Sequence, residues 1–277
     1  MSNAERARGC RGVVAIAVLG AAAWPCARAD QPLWEAGVGV GVLRLPHYRG
    51  SDQSHTWVLP VPYFVYRGEF LRADREGARA VLVDAERLDV DISVAATAPT
   101  RSRDNRARAG MPDLSPTVEI GPNVNYTLVR GTQWKLQARM PVRAAFTLES
   151  GPDMIGWLAT PNLNLDVRTQ GWNIGVLSGP VFGTRRMNGY FFDVAPEFAT
   201  ASRPAYRAPG GFAGWRLVSG VSRRFGDFWM GAFVAGDSVR NARFDDSPLV
   251  RKHDTVAFGF AISWVFATSS QRVPGEN

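Results

Sequence analysis

Three histidines, His47, His55 and His253, are the residues best suited to proton transfer or metal ligation. None has a partner at His-x-x-x-His spacing. All three fall in loops or at the ends of strand-like stretches, where a solitary histidine is a solvated side chain. Ser51, Ser54 and His55 bring two hydroxyls near an imidazole, the ingredients of a serine hydrolase. A Gly-x-Ser-x-Gly elbow, which would expose such a nucleophile, does not occur, and an enzyme is only a minor reading. Gly37-x-Gly39-x-Gly41 has the outline of a phosphate loop, but that motif needs a strand, a turn and then a helix. Val38, Val40 and Val42 instead continue a strand, and the glycines suit a crowded sheet wall. No catalytic, cofactor-binding or metal residue follows from these patterns, and no cofactor is expected.

A different set of charged residues carries more information. Asp89, Asp91, Glu119, Lys135, Arg139, Arg143, Asp166, Arg168 and Arg216 sit opposite apolar residues in alternating stretches. Leu88, Val90, Ile92 and Val94 share one face of Arg87 to Thr97, while Asp89, Asp91 and Ser93 share the other. Leu136, Ala138, Met140 and Val142 alternate with Lys135, Gln137, Arg139 and Arg143. Successive side chains of a strand point to opposite faces. If the apolar face meets lipid, the charged face lines a lumen. The charges then form either a selective pore lining or an internal ion-pair network that fills a modest barrel. Because both signs are present, the network or a narrow pore is favoured.

The elements that must hold these residues are long strands. The clearest is Thr255 to Phe266, where Val256, Phe258, Phe260, Ile262, Trp264 and Phe266 alternate with small residues. About twelve strands are expected, near 34–43, 56–67, 69–83, 86–97, 115–128, 132–147, 155–168, 171–183, 190–198, 211–225, 227–237 and 254–266. Aromatic residues mark their ends: Trp34, Trp57, Tyr63, Tyr66, Trp134, Trp157, Trp172, Trp229, Trp264 and Phe266. Strands of this length, an apolar band and aromatic girdles together describe a transmembrane barrel. Short joins at Arg67-Gly68, Val129 to Gly131, Thr169 to Gly171 and Gly226-Asp227 read as periplasmic turns. Longer joins at Pro99 to Ser115, Thr184 to Gly189 and Gly236 to Asp254 read as extracellular loops. Pro60, Pro62, Pro122, Pro141 and Pro161 fall inside proposed strands, although proline cannot donate to a ladder. Bulges or shifted boundaries are expected there.

The start of the chain supports export. Arg6, Arg8 and Arg11 precede the apolar run Gly12 to Ala23, and Ala27-Arg28-Ala29 has small residues at −3 and −1. Residues 1–29 therefore read as a cleaved signal peptide, 30–266 as the barrel and 267–277 as a short C-terminal tail. Both cysteines, Cys10 and Cys26, leave with the signal, so no disulfide or thiolate metal site is expected. Its four arginines against Glu5 take the net charge from +7 to +4, which weakens any nucleic-acid reading. No later stretch approaches 18 apolar residues, so no membrane helix is visible.

Several strings, in order along the mature chain, resemble the MipA/OmpV family of Gram-negative outer-membrane proteins. They include Gly37 to Gly41, Tyr48 to Asp52, Leu59 to Phe64, Phe70 to Arg72, Ile120 to Pro122 and Ser178 to Pro180. Glu197 to Tyr206, Gly210 to Trp215, Arg224 to Phe233, Asp246 to Val250 and Ala261 to Phe266 complete the series. One departure is the eleven residues that follow Phe266, where barrels often end at a terminal aromatic. The resemblance implies an all-β, antiparallel up-and-down barrel in the outer membrane, in contact with its lipids. It also implies a scaffold role, binding a lytic transglycosylase and a murein synthase, with no catalytic residues to carry over. The alternative is a narrow porin-like channel for small solutes or antibiotics.

Overall fold

A computed structural model describes residues 30–68, 71–74, 77–149 and 151–274. The expected signal peptide, residues 1–29, lies outside the described residues, as do the last three residues of the tail. The strands are β1 (Gln31–Pro32), β2 (Trp34–Pro46), β3 (Ser54–Arg67), β4 (Leu71–Asp74), β5 (Gly77–Asp84), β6 (Leu88–Thr97), β7 (Thr117–Arg130) and β8 (Trp134–Thr147). They continue with β9 (Asp153–Ala159), β10 (Asn162–Thr169), β11 (Trp172–Gly183), β12 (Gly211–Phe225), β13 (Phe228–Ser238), β14 (Asp254–Thr268) and β15 (Arg272–Val273). A helix, α1 (Arg185–Phe192), lies between β11 and β12.

Among the described residues, β2 to β14 form one antiparallel sheet in which sequence neighbours pair. The last strand, β14, pairs with the first, β2, from Phe258 opposite Arg44 to Val265 opposite Gly37. The sheet is thus a closed up-and-down barrel. β9 and β10 act as one interrupted wall strand, because both pair with β8 and both pair with β11. The wall therefore has twelve strand positions. Beyond Phe266, β14 runs on to Thr268, and β15 pairs with β1 beside the turns.

The strand count agrees with expectation, but three strands do not. The stretch 69–83 holds two strands, β4 and β5, paired as a short hairpin. The stretch 155–168 is broken into β9 and β10. The stretch 190–198 is not a strand: it ends α1 and then forms a 3-10 turn, Pro196–Phe198. Thr184 caps α1, its Oγ1 accepting the Met187 N–H at 3.4 Å. The second of the long loops consequently runs from 184 to 210.

The prolines follow the ladder. Pro60 and Pro62 face Val40 and Val38 of β2. A proline cannot complete a hydrogen-bonded pair, so its carbonyl and missing donor must lie on the side away from β2. On that side, among the described residues, β3 pairs with β4 only at Tyr66 and Arg67. Pro122, Pro141, Pro161 and Pro180 fall on a staggered line across four neighbouring wall strands. The registers keep step through this line, yet pairing lapses at 121–122 on β7, between 159 and 162 on the β9–β10 strand, and at 179–181 on its β11 side.

The closing seam depends on glycine. Gly37 and Gly39 of β2 face inward, and a Cβ at either would fall inside contact distance of the Trp264 or Ile262 carbonyl oxygen of β14. Gly236 has open space around it. Gly39→Val is expected to abolish the heat-modifiable folded band on unboiled SDS gels, whereas Gly236→Ala is expected to keep it.

Candidate functional site

The distribution of side chains is inverted relative to a water-soluble protein. Val38, Val40, Leu163, Leu217, Val234, Val256, Phe258, Phe260, Trp264 and Phe266 are large, apolar and exposed on the outer wall. Asp91, Glu119, Asn125, Gln137, Asn164 and Ser263 are buried on the inner face. Such an exposed apolar band belongs against hydrocarbon, and paired charges belong out of it.

All nine charged positions singled out by alternation fall on the inward parity of their strands. On β6 and β7, Asp91 accepts from Asn125 Nδ2 at 2.8 Å and from Asn123 Nδ2 at 3.2 Å. On β8 and β10, Arg139 lies 3.4 Å from Asp166, which also accepts from Asn164 Nδ2 at 2.6 Å. Arg143 donates to Ser93 Oγ at 2.9 Å and lies 3.8 Å from Glu119. Arg216 of β12 binds Asp237 of β13 through two nitrogens, at 2.8 and 3.1 Å. Asp89, Lys135 and Arg168 lie nearer the turn end of the same face. Lys135 stands opposite Asp166 in the β8–β10 register, and Asp89 opposite Asn125 in that of β6 and β7.

Sequence reasoning missed several members of this set. Asp237 shares the parity of Trp229 and Phe233 and could have been read from it. Arg49, which pairs with Asp237 at 3.1 Å and donates to the Ala213 carbonyl at 2.8 Å, comes from a loop and has no periodic signal. A second cluster at the turn end joins Glu35 to Arg67 at 2.7 Å and to Arg224. Three expected girdle aromatics also fall on the inward parity: Trp229 faces the lumen, with Tyr63 packed on it at 5.6 Å between centroids, and Trp57 shares the face of Val61 and Tyr63, opposite Leu43.

At the long-loop end the loops pack together into a cap. Tyr48, Leu114, Phe192, Val194, Val239, Phe244 and Leu249, from four loops, form one buried core with Val181 and Ala213 of the wall. Phe192 stacks on Phe244 at 3.8 Å. Backbone carbonyls are tied across loops by arginine: Arg108 donates to Phe191 and Pro112 at 3.1 Å, and Arg203 to Ala107 and Ala109 at 2.9 Å. The Tyr48 hydroxyl donates to the Leu249 carbonyl at 2.8 Å, and burial pushes its pKa up to about 12. Ser51 and His47 meet through Asn105, whose Nδ2 reaches Ser51 Oγ at 3.1 Å and His47 Nδ1 at 3.0 Å. Burial lowers the His47 pKa, His55 adding to the effect. Ser51 is itself buried and donates to the Gln53 carbonyl, so this cluster holds the cap together and offers no accessible nucleophile.

Beneath the cap, the lumen contains a cavity of about 680 Å³. Among its lining residues are Asp91, Asn123, Arg139, Arg143 and Asn162 on one side, and Leu43, Val61, Trp229 and Phe233 on the other. Val181 of β11 contributes to both the cap core and the cavity wall. No helix among the described residues is long and apolar enough to cross a membrane, and no cluster there has the ligands to hold a metal ion.

The family model described as MltA-interacting protein MipA matches residues 38–266. The chain belongs to the MipA family. It is an outer-membrane barrel protein of that family. No curated protein matches it in sequence. Solved structures it is similar to include a bacterial polysaccharide outer membrane secretin, at 7% identity and a TM-score of 0.41, with 86% of this chain and 99% of that one covered. The Pseudomonas putida toluene transporter TodX is similar at 8% identity and a TM-score of 0.29, covering 87% and 69%. OprD from Pseudomonas aeruginosa is similar at 7% identity and a TM-score of 0.26, covering 86% and 97%.

Two measurements probe the MipA-family barrel described above. Asp237→Asn leaves the half-buried Arg49 and the more exposed Arg216 to share a single neutral acceptor, and losing charge-assisted hydrogen bonds of this kind costs about 1.5–3 kcal/mol. Urea unfolding from lipid vesicles is expected to show a loss of that order. The cap is expected to loosen in alkali. A raised tyrosine pKa means that stability is fully present below the unfolded value near 10, declines above it and is lost as the pH passes the folded value of about 12. Protease cleavage within 239–253 is expected to rise across that window, and Tyr48→Phe to flatten the rise.

Proposed function

We propose that this protein is a non-enzymatic docking protein, anchored in the outer membrane and binding a murein-processing enzyme at its periplasmic face. The observation that carries this reading is the combination of a packed cap at one end and paired charges within. Such a barrel is suited to hold position in the membrane rather than to pass solutes freely. Residues 1–29 act as the signal for Sec-type export, 30–266 form the barrel, and 267–277 are a tail that continues into the β1–β15 pair. The tight turns and paired termini face the periplasm, and the long loops face outward. The family's description as an MltA-interacting protein supports a lytic transglycosylase as the partner, with a murein synthase as a second. Outer-membrane lipids cover the apolar belt, and no nucleic acid is involved. A narrow solute channel is the second reading, favoured by the chamber under the cap.

Affinity-tagged full-length protein, extracted from outer membranes, is expected to retain a purified lytic transglycosylase, and trypsin shaving of the long loops is expected to leave capture intact. In planar bilayers the protein is expected to be silent. Failure to capture the enzyme sinks the docking reading, and steady ion conductance moves the function to the channel.

A further inference from the structure

Between β3 and β6 the wall is not zipped. β4 pairs with β3 only at Tyr66 and Arg67 and ends in a hairpin, where Asp74 stands opposite Gly77. Among the described residues nothing pairs with 54–65 of β3 on the side away from β2. On the facing rim, β5 pairs with β6 from Asp89 to Ser93 and no higher, so 94–97 have no described partner on that side. β3 and β6 do not pair with each other. The β4–β5 hairpin frames the opening from below. The loop after β6 frames it from above: Gln53 Nε2 donates to the Asp104 carbonyl at 3.1 Å, the Arg106 N–H to Gln53 Oε1 at 2.7 Å, and Thr100 Oγ1 to the His47 carbonyl at 2.7 Å.

The residues of this edge suit an opening. Pro60 and Pro62 lie within its unpaired stretch, and their rings remove two N–H groups that would otherwise point into the gap. Proline is the residue that sheets tolerate on an edge left free. Residues 56–65 and 94–98 carry no charged side chain. Val58 and Phe64, on the outward face, are 68% and 56% exposed and extend the apolar belt up to the gap. A molecule dissolved in hydrocarbon meets no ion at either rim, whereas an ion would have to shed its water to reach them.

Both rims border the chamber, through Leu59 and Val61 of β3 and Ser93 and Val94 of β6. Leu59 has the inward parity of Val61 and is still 44% exposed. Beyond it the apolar lining continues through Leu43, Trp229 and Phe233. The last two rings lie across Gly231 and Gly259, close against the backbone. On the far wall the charged groups answer one another: Arg139 with Asp166, Asp91 with Asn125, Arg143 with Ser93. The volume, about 680 Å³, lies within the range of small-molecule sites.

We propose that the opening between β3 and β6 is a lateral window, through which apolar molecules dissolved in the bilayer enter the chamber and lie along Leu59, Val61 and Phe233. The window is independent of the periplasmic docking reading, since it opens onto the membrane and not onto the face where an enzyme would bind.

The test uses the full mature chain in lipid nanodiscs, photolabelled either with trifluoromethyl-phenyldiazirine, which dissolves in the bilayer, or with its ring-sulfonated form, which stays in water. Peptide mass spectrometry locates the adducts. The apolar probe is expected to mark Leu59, Val61 and Phe233 at a level comparable to Val256 and Phe258 of the outer wall, and at least tenfold above Phe244 and Leu249 of the cap core. The sulfonated probe is expected to leave Val61 and Phe233 at the level of the cap core. Val61→Trp, which fills the chamber behind the window, is expected to cut the Phe233 adduct at least fivefold with Val256 and Phe258 unchanged. Heat-modifiability on gels checks that the variant is folded, and the wild-type pattern decides the matter if it is not. Marking of Val61 and Phe233 no stronger than that of the cap core, equal marking by the sulfonated probe, or a Phe233 adduct that the folded variant leaves unchanged overturns the proposal.

Discussion

In hydrocarbon no water is available to a backbone N–H or carbonyl, so each must find a partner within the sheet. Everything else in this molecule answers to that constraint. It is why β14 returns to β2, and why that seam is made from inward-facing glycines whose lack of a Cβ lets the two backbones approach. It also explains where the prolines sit. Pro60 and Pro62 turn their missing donors away from the long β2–β3 ladder. Pro122, Pro141, Pro161 and Pro180 are grouped, so that one line of lapsed pairing replaces scattered defects. A wall with its faults aligned keeps its register above and below them.

The same solvent decides where charge can go. Placed on the outer wall, an arginine near mid-membrane would cost about 2–4 kcal/mol, and an aspartate less. Turned inward, it still loses most of its water and must be paired. The arginines and carboxylates therefore come as a connected set, with Asp237 serving both Arg216 and Arg49. Arg49 is the joint between wall and cap, since it also holds the Ala213 carbonyl where the cap core rests. Folding of the loops and completion of the lumen network are thus one event in energetic terms: the network lacks a cation until the loop is in place.

The barrel was legible because lipid and lumen impose a strict period of two, clearest in Thr255 to Phe266. The charged residues from Asp89 to Arg216 keep to the same period. The misreadings have physical causes. Tyr190, Phe192 and Val194 alternate as a strand would, but a short apolar run has no periodicity long enough to tell strand from helix. The better signals were Thr184 as a cap and Pro196 opening a turn. Trp229, Tyr63 and Trp57 were assigned to the lipid interface by residue type, while parity sends them inward. What sequence could not supply was the meeting of distant loops. Nothing in the spacing of Tyr48, Leu114, Phe192 and Phe244 shows that they share a core.

The asymmetry of the lumen follows from how the ring is closed. Strands at the seam need small inward residues, so β2 and β14 offer glycine, alanine and serine on that face. Small residues leave space, and the neighbouring β13 fills it with Trp229 and Phe233 laid over Gly231 and Gly259. The strands far from the seam carry no such restriction and can place amides and ions inside. The charges of β6 to β10 consequently look across the chamber at rings rather than at one another through water. A less polar surrounding strengthens each pair and raises the cost of leaving any member alone. The two walls are therefore coupled: the apolar wall that closes the barrel also makes the polar wall rigid.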